Sequence, residues 1–170
     1  MSFAPGYSAV ELASWLPDVI RVLNETGTPF ALAGGGAVMV YGRRPRTRDL
    51  DFFVDVDAPA WQALATAFRA HGFRVESKSS WQQRVWAAPY YADILLAEVD
   101  LQREAVHAAR PHALAGVETR VVPPEHLIAL KVVAGRPRDQ LDVEDLRLNV
   151  PDLDHGKIAE LLAPFDLAWP

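Results

Sequence analysis

Two acidic residues, Asp49 and Asp51, stand one residue apart at the start of the apolar stretch DLDFFVDV, residues 49–56. In an extended chain alternate side chains lie on the same face, so both carboxylates point the same way, with Cα atoms roughly 6.5 to 7 Å apart. Two such charges about 5 Å apart repel by on the order of 3 kcal/mol, and a divalent cation between them reverses that cost. The spacing therefore predicts a cation site, and the alternative is that nearby arginines neutralise both acids.

A third acid, Asp93, interrupts the apolar segment YADILLAEV, residues 91–99. An isolated carboxylate in apolar surroundings is costly, so Asp93 needs a partner. If its strand lies beside that of Asp49 and Asp51, three carboxylates meet at one end of a sheet. Such a set can hold the two metal ions of a phosphoryl or nucleotidyl transfer. The alternative is a structural ion pair with an arginine such as Arg84.

Three glycines, Gly34 to Gly36, follow a short apolar run. A glycine turn from a buried strand into a helix lets the backbone approach a phosphate, whose charge the helix N-terminus favours. Neither a Walker motif nor a dinucleotide-binding fingerprint is present. The alternative is a tight turn that allows close packing of helix on sheet.

Basic residues surround these motifs. Arg46 and Thr47 come just before the paired acids, where a guanidinium and a hydroxyl can contact phosphate, or where both residues only fix the loop. Further along, Lys131 lies among apolar residues, and Arg138 and Asp142 follow within eleven positions of it. The alternative for this second group is a solvated helix with local ion pairs, such as Asp139 with Arg136.

Composition bounds the remaining possibilities. The chain has 170 residues, half of them hydrophobic, which is enough for one well-buried core. The absence of cysteine excludes disulfides and thiolate chemistry, and the net charge of -5 argues against nonspecific coating of nucleic acid. No stretch has the length of a membrane span, and the N-terminus lacks a signal-peptide pattern, so we expect a soluble cytoplasmic protein. The five tryptophans are assigned to core or interface packing rather than to base stacking.

Periodicity predicts an α+β fold, a mixed sheet flanked by helices with a helical C-terminal part. The α/β core is assigned to residues 1–122 and the helical part to residues 123–170. Ser8 and Glu11 form a capping-box pattern ahead of a first helix ending near Gly27, and Asp57 can cap a helix that Gly72 stops. Strands are predicted at 29–33, 49–56, 73–77, 84–88 and 91–99, and further helices at 37–42, 123–135, 137–148 and 157–165.

Gly35-Gly36, twelve intervening residues, and Asp49-Leu50-Asp51-Phe52 resemble the signature of the nucleotidyltransferase superfamily with the DNA polymerase beta-like fold. Asp93 is similar to the third carboxylate of that family. More narrowly, the segments AGGGAVMVYGRRPRTRDLDFFV and EHLIALKVVAGRPRDQLDVEDL resemble the AbiEii-like toxins of type IV toxin-antitoxin systems. Family members often have a hydroxyl residue after the glycines, where this chain has Ala37.

The resemblance implies a nucleotidyltransferase that binds an NTP with two Mg²⁺ ions and transfers the NMP part to an acceptor. Asp49, Asp51 and Asp93 would hold the metals, with Asp93 also the base for the attacking hydroxyl. The remaining implied contacts bind the nucleotide. They are the Gly35 and Gly36 amides, Arg46, Thr47, Lys131, Arg138 and Asp142.

The acceptor implied by the toxin resemblance is RNA such as tRNA, or a protein, and a cognate antitoxin would then be a partner. A second hypothesis keeps the chemistry but makes the acceptor a small hydroxylated molecule such as an aminoglycoside or lincosamide. A third is a catalytically silent nucleotide-binding module.

Overall fold

The computed structural model describes residues 6–43, 46–47 and 50–169. Asp49 therefore lies outside the described residues, as do Arg44 and Arg48, which lie on either side of Arg46 in the sequence. The predicted metal ligands within them are Asp51 and Asp93.

Seven strands form one mixed sheet in the order β3-β4-β5-β2-β1-β7-β6. The strands are β1 (Phe30–Ala33), β2 (Asp51–Val54), β3 (Arg74–Ser77), β4 (Gln82–Ala87), β5 (Tyr90–Leu96), β6 (Arg110–Leu114) and β7 (Val117–Val121). The pairs β2–β5 and β1–β7 are parallel, and the other four pairs are antiparallel. This arrangement confirms the predicted α+β class with a mixed sheet.

Seven α-helices accompany the sheet in the described part of the chain. They are α1 (Ala9–Glu25), α2 (Gly34–Tyr41), α3 (Ala58–Ala70), α4 (Asp100–His107), α5 (Pro124–Ala134), α6 (Pro137–Asn149) and α7 (His155–Leu162), and a 3-10 turn follows at Ala163–Phe165. Helix α5 packs against α4, α6 and α7. Within the described residues, no helix combines the length and the apolar character needed to cross a bilayer.

Local signals account for most of these boundaries. Ser8 and Glu11 form the reciprocal capping box at the start of α1, and the Asp57 carboxylate accepts a hydrogen bond from the Ala60 amide at the start of α3. Gly72 follows α3 with a φ of 85°, in the left-handed region that favours glycine. The predicted helix caps at Ser8 and Asp57 and the predicted helix end at Gly72 are therefore confirmed.

Two differences separate the predicted elements from the observed ones. Helix α2 begins at Gly34, so the glycines form its first turn, whereas the prediction placed them in a turn before a helix at 37–42. Helix α4 and the β6–β7 hairpin were not assigned from the sequence. In the hairpin, the exposed and buried residues of β6 hardly alternate, so periodicity gives a weak signal there.

The apolar core lies between the sheet and its helices. Its fully buried large side chains include Phe52 of β2 and Ile94 of β5, which are register partners on neighbouring strands. Because side chains alternate along a strand, the residues on either side of Phe52 and Ile94 point to the opposite face of the sheet. That opposite face carries Asp51 and Asp93.

Candidate active site

The register of four strands places the predicted acids in one row across the sheet. Asp51 is the direct partner of Asp93 on the parallel strand β5 and of Ala33 on the antiparallel strand β1. Asp93 is in turn the partner of Arg84 on β4. Adjacent strands lie about 4.8 Å apart and paired residues share a face, so the row Arg84, Asp93, Asp51, Ala33 runs along one side of the sheet. The predicted proximity of the Asp51 and Asp93 strands is thus observed.

Asp93 is 5% exposed and is held by an arginine. The Arg84 guanidinium donates two hydrogen bonds to its carboxylate, Nε to Oδ1 and Nη2 to Oδ2, each 2.8 Å long. Hydrogen bonding to Asp93 raises the pKa of Arg84, so the guanidinium stays charged. Arg84 also lies over the Tyr91 ring, 4.0 Å from its centroid. This pair is the structural alternative for Asp93, and a metal-binding role for the same carboxylate remains a prediction.

Gly34 leaves the space that the Asp51 carboxylate occupies. Gly34 has a φ of 55°, and a Cβ built on it would lie 2.4 Å from Asp51 Oδ2. A side chain at this position would displace the Asp51 carboxylate, and the positive φ itself favours glycine. The first turn of α2 also carries backbone N–H groups that have no partner within the helix itself, and it holds the positive end of the helix dipole. The site thus places a carboxylate beside a helix N-terminus.

The two glycines that carry the resemblance differ in their surroundings. Gly36 is buried, and a Cβ on it would lie 2.9 Å from Leu32 Cδ1 and 3.0 Å from Leu50 Cδ1. The packing explanation therefore accounts for Gly36. Gly35 lies between it and Gly34 in the first turn of α2, and phosphate contact by the Gly35 and Gly36 amides remains a prediction.

Helices α5 and α6 face the strands that carry Asp51 and Asp93, and they contribute basic side chains to the site. Lys131 is 6% exposed, and its Nζ lies 2.6 Å from Asp142 Oδ2 and 3.5 Å from Asp139 Oδ1, so it joins the two helices. Arg136 donates to Asp139 through Nε at 2.7 Å. Burial raises the pKa of Asp139, but Arg136 and Lys131 hold it below its ordinary value. The Arg136–Asp139 pair of the expected alternative is present, but Lys131, Asp139 and Asp142 are buried and do not lie on a solvated helix face.

The loop before Asp51 makes contacts of a different kind. Thr47 is buried and its carbonyl accepts a 2.6 Å hydrogen bond from the Tyr7 amide. Arg46 lies 3.9 Å from Glu11 Oε2. Neither residue occurs among the described residues that line the cleft between the sheet and the C-terminal helices. These contacts support the loop-fixing alternative, and phosphate contact by Arg46 and Thr47 remains a prediction.

A cleft of about 570 Å³ brings the two walls together. Asp51, Asp93 and Gly34 line it from the sheet side, and Lys131 and Arg138 line it from the C-terminal helices. Several other residues that line the cleft were not identified from the sequence. Each is a single apolar or polar residue near the end of a strand or the start of a helix, which gives no distinctive sequence pattern. These are Phe53, Trp81, Gln82, Leu95, Val99, Leu101, Gln102 and Phe165. Trp81 in particular is 42% exposed and lines the cleft, so it does not belong to the core, and its assignment to interface packing stays a prediction.

Among the described residues, no three His, Cys, Asp or Glu side chains form a metal-binding group. The third carboxylate of the predicted set, Asp49, lies outside those residues. The two described carboxylates, Asp51 and Asp93, have the hard oxygen donors that Mg²⁺ prefers, and the Gly34 backbone leaves space beside Asp51. The donor chemistry therefore fits a divalent cation at this end of the cleft.

Comparison of whole structures identifies similar folds. The antibiotic-resistance factor ANT(2″)-Ia has a TM-score of 0.64 at 19% identity, over 93% of this chain and 92% of that chain. An antigenic nucleotidyltransferase-like protein from Paracoccidioides brasiliensis gives 0.62 at 17% identity, over 95% and 89%. The lincosamide antibiotic adenylyltransferase LnuA, solved with lincomycin bound, gives 0.57 at 16% identity, over 84% and 98%.

At the level of sequence, no family profile and no curated protein matches the chain. The structural likeness extends over nearly the whole length of this chain and of the proteins compared. The chain has the nucleotidyltransferase fold.

Proposed function

We propose that this protein is a metal-dependent nucleotidyltransferase that transfers an NMP group from an NTP to a hydroxyl acceptor. The observation that supports this most directly is the pairing of Asp51 with Asp93 in register, beside the N-terminus of α2 and inside a cleft with basic residues opposite. Carboxylates that bind cations and N–H groups that bind phosphate serve the two parts of a metal–triphosphate complex. The fold of the proteins compared supports the same reaction class.

The carboxylates Asp49, Asp51 and Asp93 would hold two Mg²⁺ ions, which supply charge neutralisation on the triphosphate when bound. The bidentate pair with Arg84 uses one lone pair on each Asp93 oxygen, and a carboxylate has about four such acceptor positions. Arg84 thereby fixes the direction in which the remaining lone pairs point. Asp51 is positioned by its close approach to Gly34.

The transfer itself conserves atoms and charge. The acceptor oxygen forms a bond to the α-phosphorus, the bond from that phosphorus to the bridging oxygen breaks, and its electron pair leaves with pyrophosphate. The acceptor proton passes to Asp93. The Gly35 and Gly36 amides, at the positive end of α2, bind the leaving phosphates, and Lys131 and Arg138 on the opposite wall balance their charge. Asp142 positions Lys131 through their 2.6 Å contact.

Replacement of Asp51 tests the proposal. We expect Asp51→Asn to lower the rate of label transfer from α-phosphate-labelled NTPs by about 10³-fold, because it removes a charged cation ligand. Purified protein with Mg²⁺ is supplied with each labelled NTP and a cell extract, and labelled products of every size are separated. The matched control is Asp57→Asn, which removes the same charge but keeps a side chain that caps α3.

Three results would contradict the proposal or its metal requirement. One is NTP binding without transfer by the unmodified protein, unchanged in Asp51→Asn, which is the behaviour of a catalytically silent binding module. A second is label transfer that continues at an unchanged rate in Asp51→Asn. Chelation of divalent cations with no loss of transfer would contradict the metal requirement.

The acceptor has two candidate classes. RNA or protein is the acceptor that the resemblance to AbiEii-like toxins implies, with a cognate antitoxin as a partner. A small hydroxylated molecule is the second candidate, and the exposed apolar side chains that line the cleft, such as Trp81 and Phe165, favour it. Two of the proteins compared, ANT(2″)-Ia and LnuA, act in antibiotic resistance or on an antibiotic. In the labelling experiment, the size of the labelled product separates the two classes.

A further inference from the structure

On the basis of the nucleotidyl transfer set out above, we propose that the apolar end of the cleft binds the acceptor, and that this acceptor is a small hydroxylated molecule carrying an aromatic or aliphatic group. The apolar end consists of Phe53, Trp81, Leu95, Val99 and Phe165, all of which line the cleft.

The apolar end and the charged end of the cleft are successive rows of residues along the same strands. Phe53 and Leu95 are register partners two residues beyond Asp51 and Asp93, and Gln82 pairs with Leu95 on the next strand. A step of two residues keeps the same face and moves about 7 Å along the strand. The cleft floor therefore has a charged row followed by an apolar row, close enough for one small molecule to reach from the second to the first.

Exposure of apolar side chains is concentrated at this cleft. Eight large hydrophobic residues of the described chain are exposed, and four of them line it: Trp81, Val99, Val133 and Phe165. Single exposed apolar residues are ordinary on a protein surface, but several that share one concave site favour binding of an apolar ligand group. Trp81 lines the cleft and is 42% exposed.

The direction of the transfer assigns this end to the acceptor. In an in-line displacement the acceptor oxygen and the leaving pyrophosphate lie on opposite sides of the α-phosphorus. The proposed pyrophosphate site is the N-terminus of α2, next to Ala33 on β1. Across the sheet from β1 come Asp51 on β2, Asp93 on β5, and then β4, which Trp81 immediately precedes. The acceptor therefore approaches from the side of β5 and β4.

Charge narrows the chemistry of the acceptor. The described residues that line the apolar end add the side-chain amides of Gln82 and Gln102, and the described carboxylates of the cleft are Asp51 and Asp93 of the charged row. A polycation such as an aminoglycoside needs several carboxylates for its ammonium groups, whereas amides match hydroxyl groups. A neutral or weakly charged molecule with hydroxyl groups and an apolar face fits this lining.

The test compares two glucosides that differ only in an aromatic ring with a third probe that is a polycation. Phenyl β-D-glucopyranoside carries hydroxyl groups and an aromatic ring, methyl β-D-glucopyranoside lacks the ring, and kanamycin is a polycation. Binding to the full-length protein is titrated by saturation-transfer NMR, with and without each of the four NTPs and Mg²⁺. We expect the phenyl glucoside to bind most tightly, and NTP–Mg²⁺ not to displace it.

Variants identify the site. Trp81→Ala weakens binding of the phenyl glucoside by about tenfold, and Trp81→Phe restores most of it, because either aromatic ring offers a stacking face. Leu148→Ala is the matched control, since Leu148 is exposed on α6 and is not among the residues lining the cleft. This control binds the probe as the unmodified protein does.

Several outcomes overturn the assignment. Tighter binding of kanamycin, equal binding of the two glucosides, or no effect of Trp81→Ala each contradicts the apolar subsite. Displacement of the phenyl glucoside by an NTP assigns the apolar end to the nucleobase instead of the acceptor. Absence of label transfer in the Asp51 experiment, with Trp81-dependent probe binding intact, overturns the nucleotidyl transfer and leaves the apolar binding site standing.

Discussion

At the scale of single residues, the site depends on how a buried carboxylate is kept in place. Asp93 has little access to solvent, and Arg84 donates one hydrogen bond to each of its oxygens while stacking on Tyr91. Breaking such a pair by removing one partner is costly, because the other charge then remains buried without compensation. Arg84 is therefore a positioning residue for Asp93, which it contacts directly.

Replacement of Arg84 tests this role. We expect Arg84→Met to lower the free energy of unfolding by about 3 kcal/mol, because it leaves the Asp93 carboxylate unpaired. Urea unfolding followed by circular dichroism measures the change. Arg74→Met is the matched control. Like Arg84, Arg74 lies over an aromatic ring, in its case that of Trp86 at 4.7 Å, but it lies on the exposed strand β3. Equal losses in the two variants would show that ring stacking rather than the carboxylate pair stabilises this region.

At the scale of elements, the junction of β1 and α2 sets the charged end of the cleft. Gly34 turns the chain at a φ of 55° and leaves the space that Asp51 occupies. The sequence indicates that a glycine turn and an acid pair belong to one site. It does not indicate which of three consecutive glycines approaches the acid, because that depends on the pairing of Ala33 with Asp51 across the two strands.

Alanine substitutions at Gly34 and Gly72 distinguish the effect of backbone strain from the effect of displacing the Asp51 carboxylate. Gly34→Ala and Gly72→Ala both place a side chain at positive φ, which costs about 1 to 2 kcal/mol. A Cβ on Gly72 meets no atom of the described chain within 4 Å, whereas one on Gly34 collides with Asp51 Oδ2. We therefore expect both variants to lose stability, and only Gly34→Ala to lose label transfer as well. Equal retention of transfer would contradict the role of Gly34.

Lys131 links two elements, α5 and α6, through its contacts with Asp142 and Asp139. We expect Lys131→Met to lower the free energy of unfolding by about 3 kcal/mol, since its ion pairs are buried. Lys157→Met is the control, because Lys157 pairs with Glu104 at a more exposed position and should cost about 1 kcal/mol or less. Urea unfolding of both variants measures the difference. A Lys131 variant as stable as the Lys157 variant would mean that the buried pairs do not stabilise the α5–α6 contact.

At the scale of the whole molecule, the C-terminal helices form the second wall of the cleft and must be held against the α/β part. One cluster that does so joins α4, α5 and α7. Glu104 lies 3.2 Å from His126 Nε2 and 2.9 Å from Lys157 Nζ. His126 is buried, and burial lowers its pKa below the ordinary value of 6.5 although Glu104 opposes the shift. The cluster thus couples the packing of three helices to the protonation of one imidazole.

The pKa shift of His126 gives stability a pH dependence with a defined sign. Because the folded state lowers the pKa, His126 contributes stability that is present above pH 6.5 and is lost as the pH falls below it. We expect the free energy of unfolding to fall less between about pH 7.5 and about pH 5.5 in His126→Gln than in the unmodified protein. Exposed His71, whose pKa is raised, acts in the opposite direction in both proteins and cancels in the comparison. An identical fall in both would contradict the assignment.

The sequence by itself determined features that depend on neighbouring residues. Capping by Ser8 and Asp57, the apolar strands, the helical C-terminal part and the need of Asp93 for a charged partner all follow from local patterns. The α+β class followed from the order of those elements. The hairpin of β6 and β7 did not, because the buried and exposed residues of β6 hardly alternate. Helix α4 was missed although Leu101, Ala105 and Val106 form a buried face at helical spacing.

Only the tertiary structure decided how these features combine. The register of β2 with β5 makes Asp51 and Asp93 neighbours, and the register of β4 with β5 makes Arg84 the partner of Asp93. The packing of α5 brings Lys131 into the same cleft. These relations join residues far apart in the chain, so they depend on which strands pair and how helices pack. No local pattern of residue types encodes that information.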